Sequence, residues 1–214
     1  MQLVAMSRED IVARVNVECP HARDAVAVAR AVVPYLKRQI DEFQASALFA
    51  LAAPFDSKGS HILEIGTAWG FSAAVLALAC PEASITTLNP KPTEVPYARR
   101  NLERFPNVSV LAECSWDYLS RYEGPEMDMV FVDGDHSAEA VRKDMAWYNW
   151  LRPSGLMLFH DYAPKGSARP CPPVKDACDD MAAKLRRNFD VMVVDDQQVG
   201  MVGFYRRKGE SYGA

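Results

Sequence analysis

From His61 onward the chain alternates short runs of β-branched and aliphatic residues with longer amphipathic or apolar stretches, the pattern of repeated βα units on a parallel sheet. The predicted strands are Ile62–Ile65, Ser84–Leu88, Val108–Leu111, Met129–Val132, Leu156–Phe159, Val191–Val194 and Val199–Tyr205, with helices over about 70–79, 96–105, 137–151 and 173–187. Only Asp195-Asp196-Gln197-Gln198 separates the last two strands. That is too short for a crossover helix, so they pair as an antiparallel hairpin. Before His61 the pattern is helical from about 8 to 53, and Leu36, Ile40, Phe43, Ala47 and Leu51 recur on one face at helical spacing. Pro34 then falls in the first turn of that helix. The predicted architecture is an α/β sheet, mostly parallel with a C-terminal antiparallel hairpin, preceded by N-terminal helices. Residues 1–55 form a helical extension, a lid or a dimer contact, and residues 56–214 form the sheet domain.

Composition narrows the function without naming it. The 214 residues, 49% hydrophobic and 24% charged, suit one compact domain with a small extension. A net charge of −4 argues against nucleic acid as a partner, because binding through phosphates needs clustered Lys and Arg. A small-molecule substrate fits better. The five cysteines contain no CxxC pair and no zinc-finger spacing with histidine, so free thiols in a reducing cytoplasm are expected. Arg8, Glu9 and Asp10 interrupt the N-terminal segment where a secretory signal would be apolar. The longest apolar stretches, such as Phe71–Cys80, are about half the roughly 20 residues that span a bilayer. A cytoplasmic protein without membrane association is the expectation.

Two places carry chemistry. The first is ILEIGTAWGFSAAVLALA: a buried strand, a glycine turn and an apolar helix, the order that a nucleotide-type ligand at a strand's carboxyl end requires. Gly66 permits the sharp turn and Gly70 a close approach at the helix start, but the dinucleotide GxGxxG is absent. Glu64 lies in an otherwise apolar strand, where an unpaired carboxylate is costly, so it needs donors or a cationic ligand. The second place is a pair of strand ends. MDMVFVDGDHSAEAVRKDM delivers Asp133, Asp135 and His136, and LMLFHDY delivers His160, Asp161 and Tyr162. Ionisable groups repeated at the ligand-binding edge of an open α/β sheet suit general acid/base work or a divalent metal.

EIGTAWGFS together with the two Asp/His motifs resembles the class I S-adenosylmethionine-dependent methyltransferases, above all the cation-dependent O-methyltransferases and small bacterial enzymes that methylate sugars and other metabolites. The resemblance spans about residues 36 to 206 and implies a Rossmann-like methyltransferase sheet that binds S-adenosylmethionine over 56–214. It implies that Glu64, Gly66, Thr67 and Gly70 shape the pocket, with Ser72 bonding the cofactor's carboxylate near a helix N-terminus. Asn89 stands where the family carries a ribose-gripping acid, and Glu94 lies five residues further on. Cys114, Ser115 and Trp116 fall beside the adenine, and Asp133 also borders the cofactor. Asp133 and Asp161 match the family's two metal-binding aspartates. Tyr162 replaces its asparagine, which leaves His160 or Asp135 to complete a site for Mg²⁺ or another divalent cation. His136 falls at the catalytic lysine's place, where an ordinary pKa of about 6.5 would let it accept a hydroxyl proton at neutral pH.

These readings converge on methyl transfer to a hydroxyl of a small molecule, with His136, Asp133 and Asp161 as the catalytic residues. The chain is expected to work alone or as a homodimer. Two rivals are a metal-dependent hydrolase built on the Asp/His clusters and a non-catalytic protein that binds the cofactor. Past Asp161, a Pro-rich loop carrying Lys165 and Arg169 would cover the crevice.

Overall fold

The computed structural model describes residues 4–5, 19–33, 40–163, 171–185, 187–195 and 200–208. In chain order these form strand β1 (Val4–Ala5), helices α1 (Ala22–Val32) and α2 (Glu42–Ala52), β2 (His61–Ile65), α3 (Phe71–Ala79), β3 (Ser84–Leu88), α4 (Val95–Leu102), β4 (Val108–Leu111) and α5 (Ser115–Ser120). Next come β5 (Met127–Val132), α6 (Ala138–Asp144), β6 (Leu151–Phe159), α7 (Pro172–Lys184), β7 (Phe189–Asp195) and β8 (Met201–Arg206). Tighter 3₁₀ turns follow α2 at Ala53–Phe55 and α6 at Met145–Trp150. Among the described residues, no helix is long and apolar enough to cross a membrane.

The strands form one sheet in the order β1-β7-β8-β6-β5-β2-β3-β4. Its β6-β5-β2-β3-β4 part is parallel, while β8 runs antiparallel to both β6 and β7, which is the predicted C-terminal hairpin. The sequence pattern missed β1, a two-residue strand parallel to β7.

Register is what positions the site. Ile65 is level with Leu88 on one side and Val132 on the other, and Val132 is level with Phe159. The residues that leave these strands, Gly66, Asn89, Asp133 and His160, therefore emerge in a row at one edge. In an open α/β sheet that carboxyl edge is the ligand-binding edge.

Both faces of the sheet are covered. One side packs Ile62, Ile85, Met129 and Leu156 against α3, whose outer surface is covered in turn by α1 and α2. This explains why α3 is apolar nearly all round: it is a layer between two others. The opposite side packs Val130, Met157, Phe159 and Phe204 against Trp147, Val174 and Met181.

Three local expectations need correction. The second N-terminal helix begins at Glu42, not near Pro34, because the Asp41 carboxylate accepts the Gln44 backbone N–H while the Gln44 side chain accepts that of Asp41. This reciprocal capping box satisfies two donors that a helix start otherwise leaves bare. Ile40 thus precedes the helix, and Pro34 and Leu36 lie outside the described residues. The helix expected over 137–151 divides into α6 and a 3₁₀ segment. Helix α5 was not among the predicted helices.

Candidate active site

The turn after β2 is built from left-handed backbone, with φ of 110° at Gly66, 44° at Ala68 and 95° at Gly70. Gly66 and Thr67 both donate their N–H to the Leu88 carbonyl, at 3.0 and 3.1 Å. Asp133 donates its own N–H to the Ile65 carbonyl at 2.8 Å. A Cβ on residue 66 would fall 2.1 Å from the Asp133 carbonyl oxygen, and one on residue 70 would fall 2.8 Å from Leu102 Cδ1. Gly66 is therefore required twice over, by φ and by a backbone neighbour that cannot move aside, whereas Gly70 is required by its φ, since the Leu102 side chain can give way.

Glu64 is fully buried one residue before the strand's end. Thr87, its register partner on β3, donates a hydroxyl hydrogen to Oε2. That hydrogen is then spent, so in the 2.5 Å contact between Thr87 and Thr67 it is Thr67 that donates. The other oxygen, Oε1, is sealed from solvent and has no partner in full hydrogen-bond geometry among the described residues, with the Ser72 hydroxyl near the carboxylate. Burial raises the Glu64 carboxyl to about 7, against the hydroxyls of Ser72 and Thr87, which favour its charged form, while the nearby Asp133 adds to the rise. An orphaned carboxylate oxygen beside a left-handed turn suits a ligand that brings a cationic or N–H group.

The neighbouring candidates are largely engaged. Asn89 is buried, and its Nδ2 donates to the Ala68 carbonyl at 3.3 Å and to Glu94 Oε2 at 3.0 Å. Its Oδ1 accepts the Lys91 N–H at 3.0 Å. Asn89 thus ties the glycine turn to the loop that follows β3, over residues 90–94, and Glu94 stands at its side. The Ser115 hydroxyl donates to Asp144, a carboxylate on α6 raised by burial to about 6. Trp116 is half-buried, with the Lys143 ammonium 4.9 Å from its ring centroid.

The Asp/His cluster assembles as the strand-end argument requires, with a changed membership. His160 is buried; its Nδ1 lies 3.1 Å from Asp133 Oδ1 and 3.1 Å from Asp161 Oδ2. Half-exposed His136 places Nε2 2.9 Å from the same Asp161 oxygen and 3.6 Å from Asp133 Oδ1. Asp161 reaches this position from a left-handed backbone, φ 57°, a conformation tolerated by Asp and concentrated at functional sites. Tyr162 does not join: its hydroxyl donates to Asp179 on α7 at 2.7 Å. Asp135 also turns away, accepting the Ser137 N–H at 2.9 Å. Asp133, His160 and Asp161 each offer a ligand atom within 4.8 Å of the others.

Charge dominates this cluster. Hydrogen bonding to Asp133 and Asp161 raises His136 to about 10 despite its partial burial. Burial opposes the charged form of His160, yet the same carboxylates outweigh it and hold that ring at about 10 as well. Burial would raise Asp133 and Asp161, but the imidazoles beside them lower both. The ordinary histidine pKa expected for His136 is thus displaced upward, and at neutral pH both rings are imidazolium cations, with hydrogens on both nitrogens.

Two contributors were not named from sequence. Thr87 was detectable only through its pairing opposite Glu64 across β2 and β3. Gln44 on α2 is buried and accepts from His160 Nε2 at 3.1 Å; the local signal was the Asp41-x-x-Gln44 spacing of a capping box. Lys165 and Arg169 lie outside the described residues.

Known proteins share the fold of this chain. Residues 63–162 match the family model described as a methyltransferase domain. No curated protein matches the sequence. Among solved structures, cofactor-bound Rv0187 from MTB superposes with a TM-score of 0.70 at 21% identity, covering 95% of this chain and 99% of its own. An O-methyltransferase from Bacillus cereus crystallised with SAH gives 0.64 at 18% identity, over 86% of this chain and 90% of its own. TomG, an O-methyltransferase from Streptomyces achromogenes involved in tomaymycin synthesis and crystallised with SAM, gives 0.63 at 19% identity, over 86% and 89%. This chain shares their fold, and within it residues 63–162 are similar to a methyltransferase domain.

Proposed function

We propose that the chain transfers a methyl group from S-adenosylmethionine to a hydroxyl of a small molecule. The observation that carries this reading is the double role of Asp133. Its backbone touches the glycine turn at Gly66 while its carboxylate joins the Asp/His cluster, so a ligand in the turn and a ligand in the cluster become neighbours.

Glu64, Gly66, Gly70 and Ser72 cradle the methionine half of the donor, and the orphaned Glu64 oxygen gives a cationic group there a partner. Thr67 and Ser115 contribute through their backbones, since their hydroxyls are engaged. Asn89 sits at the ribose and Trp116 flanks the adenine. The acceptor's oxygen attacks the methyl carbon, the carbon–sulfur bond breaks, and its electron pair neutralises the sulfonium. Alignment of the three reacting atoms supplies most of the acceleration, on the order of 7–11 kcal/mol in favourable systems.

His136 is the proton acceptor for the hydroxyl. It can take a proton only when neutral, and a cation held by Asp133 and Asp161 would lower the share of their negative charge that His136 feels. The donor set of two carboxylates and an imidazole fits a divalent ion of the manganese-to-zinc series better than magnesium. Asp133, Asp161 and His160 Nδ1 would hold such an ion, and it would supply Lewis-acid polarisation of the acceptor's oxygen. The match of residues 63–162 to a methyltransferase domain does not favour a hydrolase.

The test is incubation with isotopically methyl-labelled S-adenosylmethionine and a panel of phenols, catechols and sugars, with products read by mass spectrometry. A labelled methyl ether that is lost on His136→Ala supports the reading. Methylation confined to amines or carbon would overturn the hydroxyl assignment.

A further inference from the structure

The direction of one hydrogen bond at the back of the cluster can be fixed from the backbone alone. Gln44 Oε1 lies 3.0 Å from the Asp41 backbone nitrogen and 3.1 Å from His160 Nε2. A backbone N–H can only donate, so the Gln44 atom facing it is the oxygen, not the amide nitrogen. That same oxygen faces His160, and Nε2 must therefore carry a hydrogen. Nδ1 is left pointing at the carboxylates of Asp133 and Asp161, both 3.1 Å away. Facing two carboxylates, Nδ1 carries the ring's second hydrogen when the imidazole is charged, and with Nε2 already protonated it is the only ring nitrogen that could give up its hydrogen for a bound cation.

We infer that Gln44 is a positioning residue for the chemical end: its amide oxygen, oriented by the helix cap, fixes the hydrogen of His160 on Nε2 and turns Nδ1 toward the Asp133–Asp161 pair. An outer partner that sets an imidazole's tautomer and ring orientation is a recurrent support for histidines that bind cations. Here it comes from the N-terminal extension, 116 positions away in sequence. Helix α2 thereby becomes part of the site as well as a cover for α3. The inference rests on His160 belonging to the proposed site, but its test does not require turnover.

The experiment is NMR of the full chain with ¹⁵N-labelled histidine, which gives four ring systems at most, with His160 assigned through His160→Asn. In the wild type, His160 Nε2 should carry a slowly exchanging hydrogen. Gln44→Glu keeps an acceptor for both His160 and Asp41 and should preserve that signal. Gln44→Met should speed its exchange with water at least about tenfold, as expected when a buried hydrogen bond is removed. Asp41→Ala breaks the cap's other half without touching His160; it should lower the melting temperature while leaving the signal in place. Binding of S-adenosylhomocysteine should change less than about twofold in all three, which separates this inference from the assignment of the cofactor end. A His160 ring with Nε2 bare in the wild type would overturn the inference without recourse to any variant. Unchanged exchange in Gln44→Met would overturn it equally, as would loss of the signal in Asp41→Ala.

Discussion

Gly66 lies so close to Asp133 that a single methyl group on residue 66 would stand 2.1 Å from the Asp133 carbonyl oxygen. With φ at 110°, alanine would also be strained in the backbone itself. Gly66→Ala should therefore cost at least about 2 kcal/mol of stability and push the turn off the Asp133 strand end. Thermal melting and calorimetric titration with S-adenosylhomocysteine check both effects. A variant that melts and binds like the wild type would contradict this account of the turn.

Glu64→Gln should separate stability from binding, because its two effects run in opposite directions. Burial raises the Glu64 carboxyl from 4.5 to about 7, so ionisation costs the folded state stability as pH rises through that interval. Glutamine removes the cost and can still accept from Thr87; the variant should be as stable as the wild type or more so near pH 8. It should nevertheless bind S-adenosylhomocysteine more weakly, by about tenfold, as the loss of a charge-assisted bond predicts. Chemical denaturation and calorimetry at the same pH provide the comparison. Weaker stability with unchanged affinity would place Glu64 in a purely structural role.

The Asp/His cluster predicts a pH profile of stability. His136 and His160 are both raised from 6.5 to about 10, so their contribution is complete below about pH 6.5 and disappears as pH climbs through 10. Asp133 and Asp161 are lowered, and their contribution exists above the ordinary aspartate range of about 4 and disappears on acidification. Asp161→Asn, which keeps a residue tolerant of left-handed backbone, should lose most relative to wild type between about pH 4 and pH 6.5. The gap should narrow toward pH 10. Urea denaturation across that range measures it, and a gap independent of pH would refute the coupling.

The carboxyl edge was legible from sequence because short apolar runs, a glycine turn and two strand-terminal Asp/His motifs are all local signals. Glu64 could be read as exceptional because a charge within an apolar strand is conspicuous in itself. Thr87 was not legible, since its importance appears only when register sets it opposite Glu64, 23 positions away. The N-terminal helix was misplaced for a related reason. Apolar spacing continues through residues 36–51, whereas the cap at Asp41 decides the start, and capping is a hydrogen-bond property rather than a periodic one. Tyr162 was grouped with its neighbours by sequence, but the left-handed backbone at Asp161 and the bond to Asp179 send it elsewhere.

Asn89 should act through the loop it organises. Asn89→Ala removes donors to Ala68 and Glu94 and an acceptor for Lys91, freeing the loop over residues 90–94 from the glycine turn. The expected result is a several-fold loss of S-adenosylhomocysteine affinity, at roughly 0.5–1.5 kcal/mol per hydrogen bond. Only a small change in melting temperature should accompany it. Calorimetry on this variant and on Glu94→Gln would distinguish loop order from direct contact.

The central claim is that the turn at Gly66 holds the methyl donor beside the cluster at Asp133, and isothermal titration of the purified chain with S-adenosylhomocysteine tests it most directly. The account predicts stoichiometric binding in the wild type, abolished by Gly66→Ala and retained in His136→Ala. No binding to the wild type, or binding indifferent to Gly66→Ala, would contradict it.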